Sequence, residues 1–388
     1  VTTTPPGPGF PPPPGGSPGP AAPYDDAVRP VGPVGPGGPG HPTVGPTAGP
    51  TAVPAVDLDK AYPPLEYHLL QRAGDRGWWR GLVGVIALAA AMMLVLPIVT
   101  LVVFIAGVAV TGGDAGTAGD QMLDIENLTP LGLAYLMTTL ALLIPAVWIV
   151  VRLLHGLKPR WTTSVAPRMR WGYFAACVGL SVVALFASLV MGVVVSALDP
   201  NALPGDTEVA GQLNAFTSTT RDFLIVVLLL TPLQAAGEEY LFRGYLTQVC
   251  GGIFATPRVA KAVAVLVPAL LFALAHGVQD PPVFFDRFAF GVMAGILVIL
   301  TGGLEAAIAM HVLNNWAAFG LALAFGDIAA ALTPTGGSWL SIPVTLTQTL
   351  VYLGLAVLVH RWMGLARTAE SPVLIASRGR VYGFSSAA

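Results

Sequence analysis

Charge is scarce in this sequence. Of 388 residues 19 are basic and 21 acidic, 10% of the chain, where a soluble globular protein carries roughly 25%. With 54% hydrophobic residues and a mean hydropathy of +0.71, that shortage excludes a soluble domain and leaves an integral membrane protein. Cysteine is as sparse: Cys177 and Cys250 fall in or beside different apolar segments without metal-ligand spacing. A disulfide framework is thereby excluded, and two buried thiols are expected. The basic residues sit in short flanks rather than on one face, which argues against nucleic-acid binding. The start of the chain lacks the basic-then-apolar pattern of a signal peptide, and no His-Glu-x-x-His zinc motif occurs anywhere.

Proline is abundant but concentrated. Residues 1–64 hold 20 of the 35 prolines, interleaved with glycine. Such a segment cannot bury enough apolar surface to offset its ordering entropy, so a disordered, solvated tail is expected, with a polyproline ligand for a partner as the alternative. Beyond it lie long apolar runs. Crossing the roughly 30 Å hydrocarbon core takes about 20 apolar residues, and eight candidates qualify: 81–111, 133–154, 171–197, 222–250, 258–277, 285–301, 304–325 and 343–362. The fold expected is an all-α, polytopic transmembrane bundle. Pro64 to Arg72 suits a short interfacial helix, followed by Trp78 and Trp79 at the headgroup level. The chain divides into the tail (1–64), the interfacial helix with three spans (65–219), a core (220–325), and the last span with its C-terminal tail (326–388).

Orientation follows from lysine and arginine. Arg72, Arg76 and Arg80 precede the first span, and Arg152, Lys158, Arg160, Arg168 and Arg170 lie between the second and third. Arg258 and Lys261 lie between the fourth and fifth, and Arg361, Arg367, Arg378 and Arg380 follow the eighth. The opposite loops carry only Arg221 and Arg287 against Asp114, Asp120, Asp124, Glu126, Asp199, Asp206 and Glu208. The positive-inside rule then places both termini in the cytoplasm of a multi-pass cell-membrane protein.

Ionisable groups inside a bilayer are costly and usually functional. The fourth apolar run ends in Glu238-Glu239-Tyr240-Leu241-Phe242-Arg243, the fifth in Phe272-x-x-x-His276, and the seventh contains His311-Val312-Leu313-Asn314-Asn315. Residues four apart share a helix face, so Glu239 and Arg243 form an ion pair, while Glu238 points about 100° away and stays free for chemistry. His311 and Asn315 also share a face; Asn314 does not. Desolvation in an apolar bundle disfavours a carboxylate's charge, which suits a general base acting on water near neutral pH. A histidine can orient that water, and a second histidine with an amide can donate to the oxyanion of a tetrahedral intermediate. The same side chains are ordinary zinc ligands, so a zinc site is the alternative. Taken singly, each group also has a structural explanation: a helix-locking ion pair, a satisfied core histidine, or polar glue between membrane helices.

Together and in this order the motifs resemble those of the CPBP family, the CAAX-protease and bacteriocin-processing membrane proteases also called Abi. The resemblance covers roughly 220–325, through Glu238-Glu239-x-x-x-Arg243 with Gly244 after it, Phe272-x-x-x-His276 and His311-x-x-x-Asn315. It implies an intramembrane endopeptidase acting on a membrane protein or peptide. Glu238 and His276 would activate water, and His311 and Asn315 would form the oxyanion pair. Members are often labelled metalloproteases, yet the glutamate-based mechanism requires no metal, and the metal-free version is expected here. A non-catalytic immunity or scaffolding protein on the same fold is the alternative. A transporter would call for an internal repeat of the hydropathy pattern, and none is present.

One geometric demand accompanies this reading. At 1.5 Å per residue, His276 lies roughly 27 Å along its span from Arg258, whereas His311 lies only about 10 Å from Leu304 at the other end. Tilted helices, a break near Pro268, or a fourth helix extended to Gly251-Gly252 would bring them to one depth.

Overall fold

The computed structural model describes residues 63–75, 77–198, 213–332 and 337–370. The expected disordered tail therefore lies outside the described residues except for its last two positions. So do Arg76, Arg378, Arg380, Asp199, Asp206 and Glu208 of the charge pattern.

Among the described residues, eight helices are long and apolar enough to cross a membrane. They are α1 (Trp78–Val110), α2 (Pro130–His155), α3 (Trp171–Leu198), α4 (Ser218–Ile253), α5 (Pro257–Leu274), α6 (Pro281–Thr301), α7 (Glu305–Phe325) and α8 (Trp339–Trp362). Each expected span falls on one of them. Their ends follow local chemistry. Thr217 and Thr220 form a reciprocal capping box at the start of α4, and Thr129 caps α2 ahead of Pro130. Pro257 and Pro281 open α5 and α6, where a missing N–H removes no helical bond. Gly302 closes α6 at φ 70°, a left-handed position that glycine takes without a Cβ clash.

The centre of the bundle is α7, packed on α3, α4 and α6, with α8 against α3 and α6 and α2 against α4. The outlier is α1, which packs on α2 and leaves Leu82, Ile86, Leu94, Val102 and Val103 exposed. An apolar face of that extent suits lipid as its solvent.

The end of the bundle that carries most of the arginines is covered by a protein layer. There β1 (Leu65–Glu66) pairs antiparallel with β2 (Thr368–Ala369), and Tyr67–Ala73 forms a 3₁₀ helix. A short helix thus stands where one is expected, in 3₁₀ form. Tyr67, His68, Leu70 and Ala73 are buried in protein. The Tyr67 hydroxyl donates to the Thr162 carbonyl, and the His68 carbonyl lies so close to Gly251 that a Cβ there would collide.

Beneath this layer Arg170 and Glu305 form a lock. The Arg170 backbone N–H and Nε donate to Glu305 Oε1 at 3.0 and 2.8 Å, and Nη2 donates to Oε2 at 2.6 Å. Nη1 donates to the Thr301 carbonyl at 2.9 Å, so one guanidinium joins the starts of α3 and α7 to the end of α6. Glu305→Gln keeps the shape and removes the charge, and is expected to cost about 1.5–3 kcal/mol, the worth of a hydrogen bond to a charged group. Thermal melts in detergent check this, and an unchanged melt contradicts it.

The covered start of α7 bears on the depth of His311. Residues 301–312 are buried without interruption, and Leu304 N–H donates to the Thr163 carbonyl while Val165 N–H donates to that of Gly302, both at 2.9 Å. Helix α7 thus begins under the 156–170 loop rather than at the bundle's end, which lifts His311 toward the interior. Helix α4 does extend past Gly251-Gly252 to Ile253, whereas α5 runs unbroken through Pro268. Helix α5 stops at Leu274, so His276 stands in the turn beyond it.

Candidate active site

The acid pair sits where α4 changes its winding. Glu239 is the last α-helical residue before a π-helical stretch, Tyr240–Leu246, every residue of which is buried. Such wide turns often occur at functional sites. One residue before Glu238, a Cβ on Gly237 would collide with the Leu140 carbonyl of α2, so α2 and α4 nearly touch beside the acids.

Glu239 and Arg243 are fully buried. Arg243 Nη1 donates to Glu239 Oε1 at 2.8 Å, and the guanidinium carbon lies 4.2 Å from the Phe272 ring centroid, 5.6 Å from that of Phe290 and 6.0 Å from that of Phe242. Desolvated cation–aromatic contacts of this kind contribute about 2 kcal/mol or more. The expected pair is therefore present, inside an aromatic cage.

His311 joins the two glutamates. Its Nδ1–H donates to Glu239 Oε1 at 2.8 Å, and its Nε2 lies 3.4 Å from Glu238 Oε2. Phe272 and Phe290 hold the imidazole edge-on, with centroid separations of 5.9 and 5.3 Å. Asn315, on the same face of α7, bonds elsewhere: its Nδ2 donates to Gln234 Oε1 at 2.9 Å. The two residues expected to act as a pair thus have separate partners. Asn314 accepts from Gln348 Nε2 at 2.7 Å.

His276 is oriented from its own helix. Its Nδ1 is 2.7 Å from the Phe272 carbonyl, which can only accept, so Nδ1 carries the proton and Nε2 is left for the cavity. The residue is open at the cavity mouth, yet the protein around it desolvates the ring and holds its pKa below the ordinary imidazole range, with Glu238 opposing that shift and Arg287 reinforcing it.

Glu238, His276, His311 and Asn315 all line one cavity of about 690 Å³. Glu239 and Arg243 stand behind it. Glu238 Oε2 is buried with no hydrogen-bond partner in the protein, and so is Glu239 Oε2. Apolar residues complete the lining, among them Met92, Met93 and Pro97 from α1 and Leu136 and Leu140 from α2. Among the described residues, no three His, Cys, Asp or Glu side chains are grouped to hold a metal ion.

The sequence reading missed Gln234, Gln348 and Arg287, which share this cavity. Gln234 had a signal, since it lies four residues before Glu238 on the same apolar helix. Arg287 counts as a loop charge by sequence; it lies within α6 and reaches Gln279.

Residues 220–317 match the family described as type II CAAX prenyl endopeptidase Rce1-like. That segment runs from α4 into α7 and contains all three motifs. Among curated proteins, the uncharacterized protein YyaK of Bacillus subtilis (strain 168) is 25% identical over 254 residues, covering 62% of this chain and 79% of that protein. No solved structure matches the chain significantly.

Proposed function

We propose that this chain is a membrane endopeptidase that hydrolyses a peptide bond of a membrane-associated protein or peptide, with water activated by Glu238. The observation that carries this reading is the convergence of Glu238, His276, His311 and Asn315 on one cavity, within the segment that matches the CAAX prenyl endopeptidase family. The apolar wall formed by α1 and α2 suits a substrate arriving from the bilayer, and the cationic flanks suit a cell-membrane protein with both termini cytoplasmic.

The chemistry follows from the hydrogen-bond inventory. Water placed between Glu238 Oε2 and His276 Nε2 loses a proton to Glu238 as its oxygen attacks the carbonyl carbon. The protonated Glu238 then gives that proton to the leaving nitrogen as the C–N bond breaks. His311, with Nδ1–H committed to Glu239, presents Nε2–H to the oxyanion when both ring nitrogens are protonated. Asn315 has two amide hydrogens, one bonded to Gln234 and one free for the same oxyanion. Glu239 and Arg243 hold His311 in place and touch no substrate.

No step runs through a metal. A catalytic zinc site takes about three protein ligands at roughly 2.0–2.2 Å, and among the described residues no three His, Cys, Asp or Glu side chains are grouped to supply them. The test uses purified protein in liposomes with single-span peptides. Chelation is expected to leave cleavage unchanged, with sub-stoichiometric zinc by elemental analysis. Activity lost on chelation and restored by zinc overturns the metal-free mechanism and makes Glu238 a ligand or a partner of metal-bound water.

A further inference from the structure

We propose that Arg287 and Gln279 form a strut that positions His276 over Glu238, an inference that rests on the function proposed above. His276 stands in a turn between Leu274 and Pro281, and every residue from 274 to 278 is exposed. Gly277 adopts φ +78°, a conformation that leaves the backbone free of a Cβ constraint. The His276 ring packs edge-on against Phe272 at 4.7 Å, and the N–H groups of Ala275, His276 and Gly277 donate to the Leu271, Ala273 and Leu274 carbonyls. These contacts hold the turn to α5, so its placement against α6 depends on side-chain hydrogen bonds.

Those bonds meet at Gln279. Its Nε2 donates to the Ala273 carbonyl at 2.7 Å and to the Gly277 carbonyl at 3.4 Å, bracketing His276 from both sides. Its Oε1 accepts from Arg287 Nη1 at 2.7 Å. Arg287 belongs to α6 and lines the same cavity as Glu238. The chain of contacts therefore runs from a membrane helix through one amide to both flanks of the histidine. The bond from His276 to the Phe272 carbonyl orients the ring against its own helix end but does not tie the turn to α6. Arg287 also acts electrostatically on Glu238 and His276, so charge and position must be separated experimentally.

Gln279→Ala separates them, because it breaks the strut and leaves the Arg287 charge in place. Wild type, Gln279→Ala, Arg287→Gln, the double variant and Arg287→Lys are compared in liposomes, with thermal melts in detergent as the control for folding. Misplacement of a reacting group by about 1 Å costs up to about 100-fold in rate. Gln279→Ala and Arg287→Gln are each expected to lower kcat by about 10- to 100-fold, with KM and the melt nearly unchanged. The double variant is expected to be no worse than the poorer single one, since both break one chain of contacts. Arg287→Lys, which retains a donor toward Gln279, is expected to recover most of the rate. Wild-type kcat in Gln279→Ala, or losses that add in the double variant, overturns the strut. Glu238→Ala keeps the two proposals apart. If cleavage persists without Glu238, the proposed function fails, whereas Glu238-dependent cleavage with normal Gln279→Ala kinetics removes only the strut.

Discussion

Arg243→Ala is expected to destabilise the bundle by about 3–5 kcal/mol, the usual consequence of stripping one partner from a buried ion pair. Arg243 is fully buried, and among the described residues its partner Glu239 is also bonded to His311 Nδ1. Without the guanidinium, Glu239 keeps a buried charge and the three phenylalanines around the cage lose the group they enclose. Adding Glu239→Gln to Arg243→Met removes the stranded charge and fills the cage, so this double variant is expected to recover most of the lost stability. Melting temperature and yield in detergent report both. An Arg243→Ala protein that melts within about 1 kcal/mol of wild type, the scale of an ordinary substitution, contradicts the account of the cage.

Glu238→Gln is expected to give the opposite signature. Glu238 borders the cavity and its Oε2 has no hydrogen-bond partner in the protein, so an isosteric amide leaves the packing intact and the melt within about 1 kcal/mol. Its effect falls on rate. Loss of a positioned general base typically costs about 10²–10⁴-fold, and an amide can neither take the proton from water nor return it to the leaving nitrogen. Neighbouring glutamates on one helix thus separate by function: variants at 238 lose rate, and variants at the 239–243 pair lose stability first. Equal destabilisation at both positions contradicts that division.

The features legible in the sequence are those set by local spacing. The eight apolar runs match the eight span-length helices among the described residues, because membrane insertion is decided by each segment's own length and hydropathy. The pairing of Glu239 with Arg243 followed from four-residue periodicity, and the exclusion of Glu238 from that pair followed from its one-residue offset. Partner choice across helices was not legible. His311 and Asn315 share a face, yet one bonds Glu239 and the other Gln234, which depends on how α7 settles against α4. The π-helical stretch after Glu239 carries no sequence mark, and it places buried groups that only the folded bundle brings together. His276 read as part of a span because the apolar run continues to Ala275, but α5 ends at Leu274 and the turn to Pro281 takes over. Arg287 was grouped with loop charges because a positive-inside count weighs charge without asking where a side chain reaches. A short helix over Pro64 to Arg72 is legible, but the burial of Tyr67, His68, Leu70 and Ala73 against protein depends on distant segments and is not.

Hydrolysis in heavy-oxygen water, with wild type and Glu238→Gln side by side in liposomes, tests the role of Glu238 most directly. Mass spectrometry of the products of a single-span peptide reads both the cut and the origin of the new carboxylate oxygen. Wild type is expected to release two fragments, with one solvent oxygen in the new C-terminal carboxylate, while equally well-folded Glu238→Gln releases almost none. Equal cleavage by the two proteins, or a product from wild type that carries no solvent oxygen, contradicts water activation by Glu238.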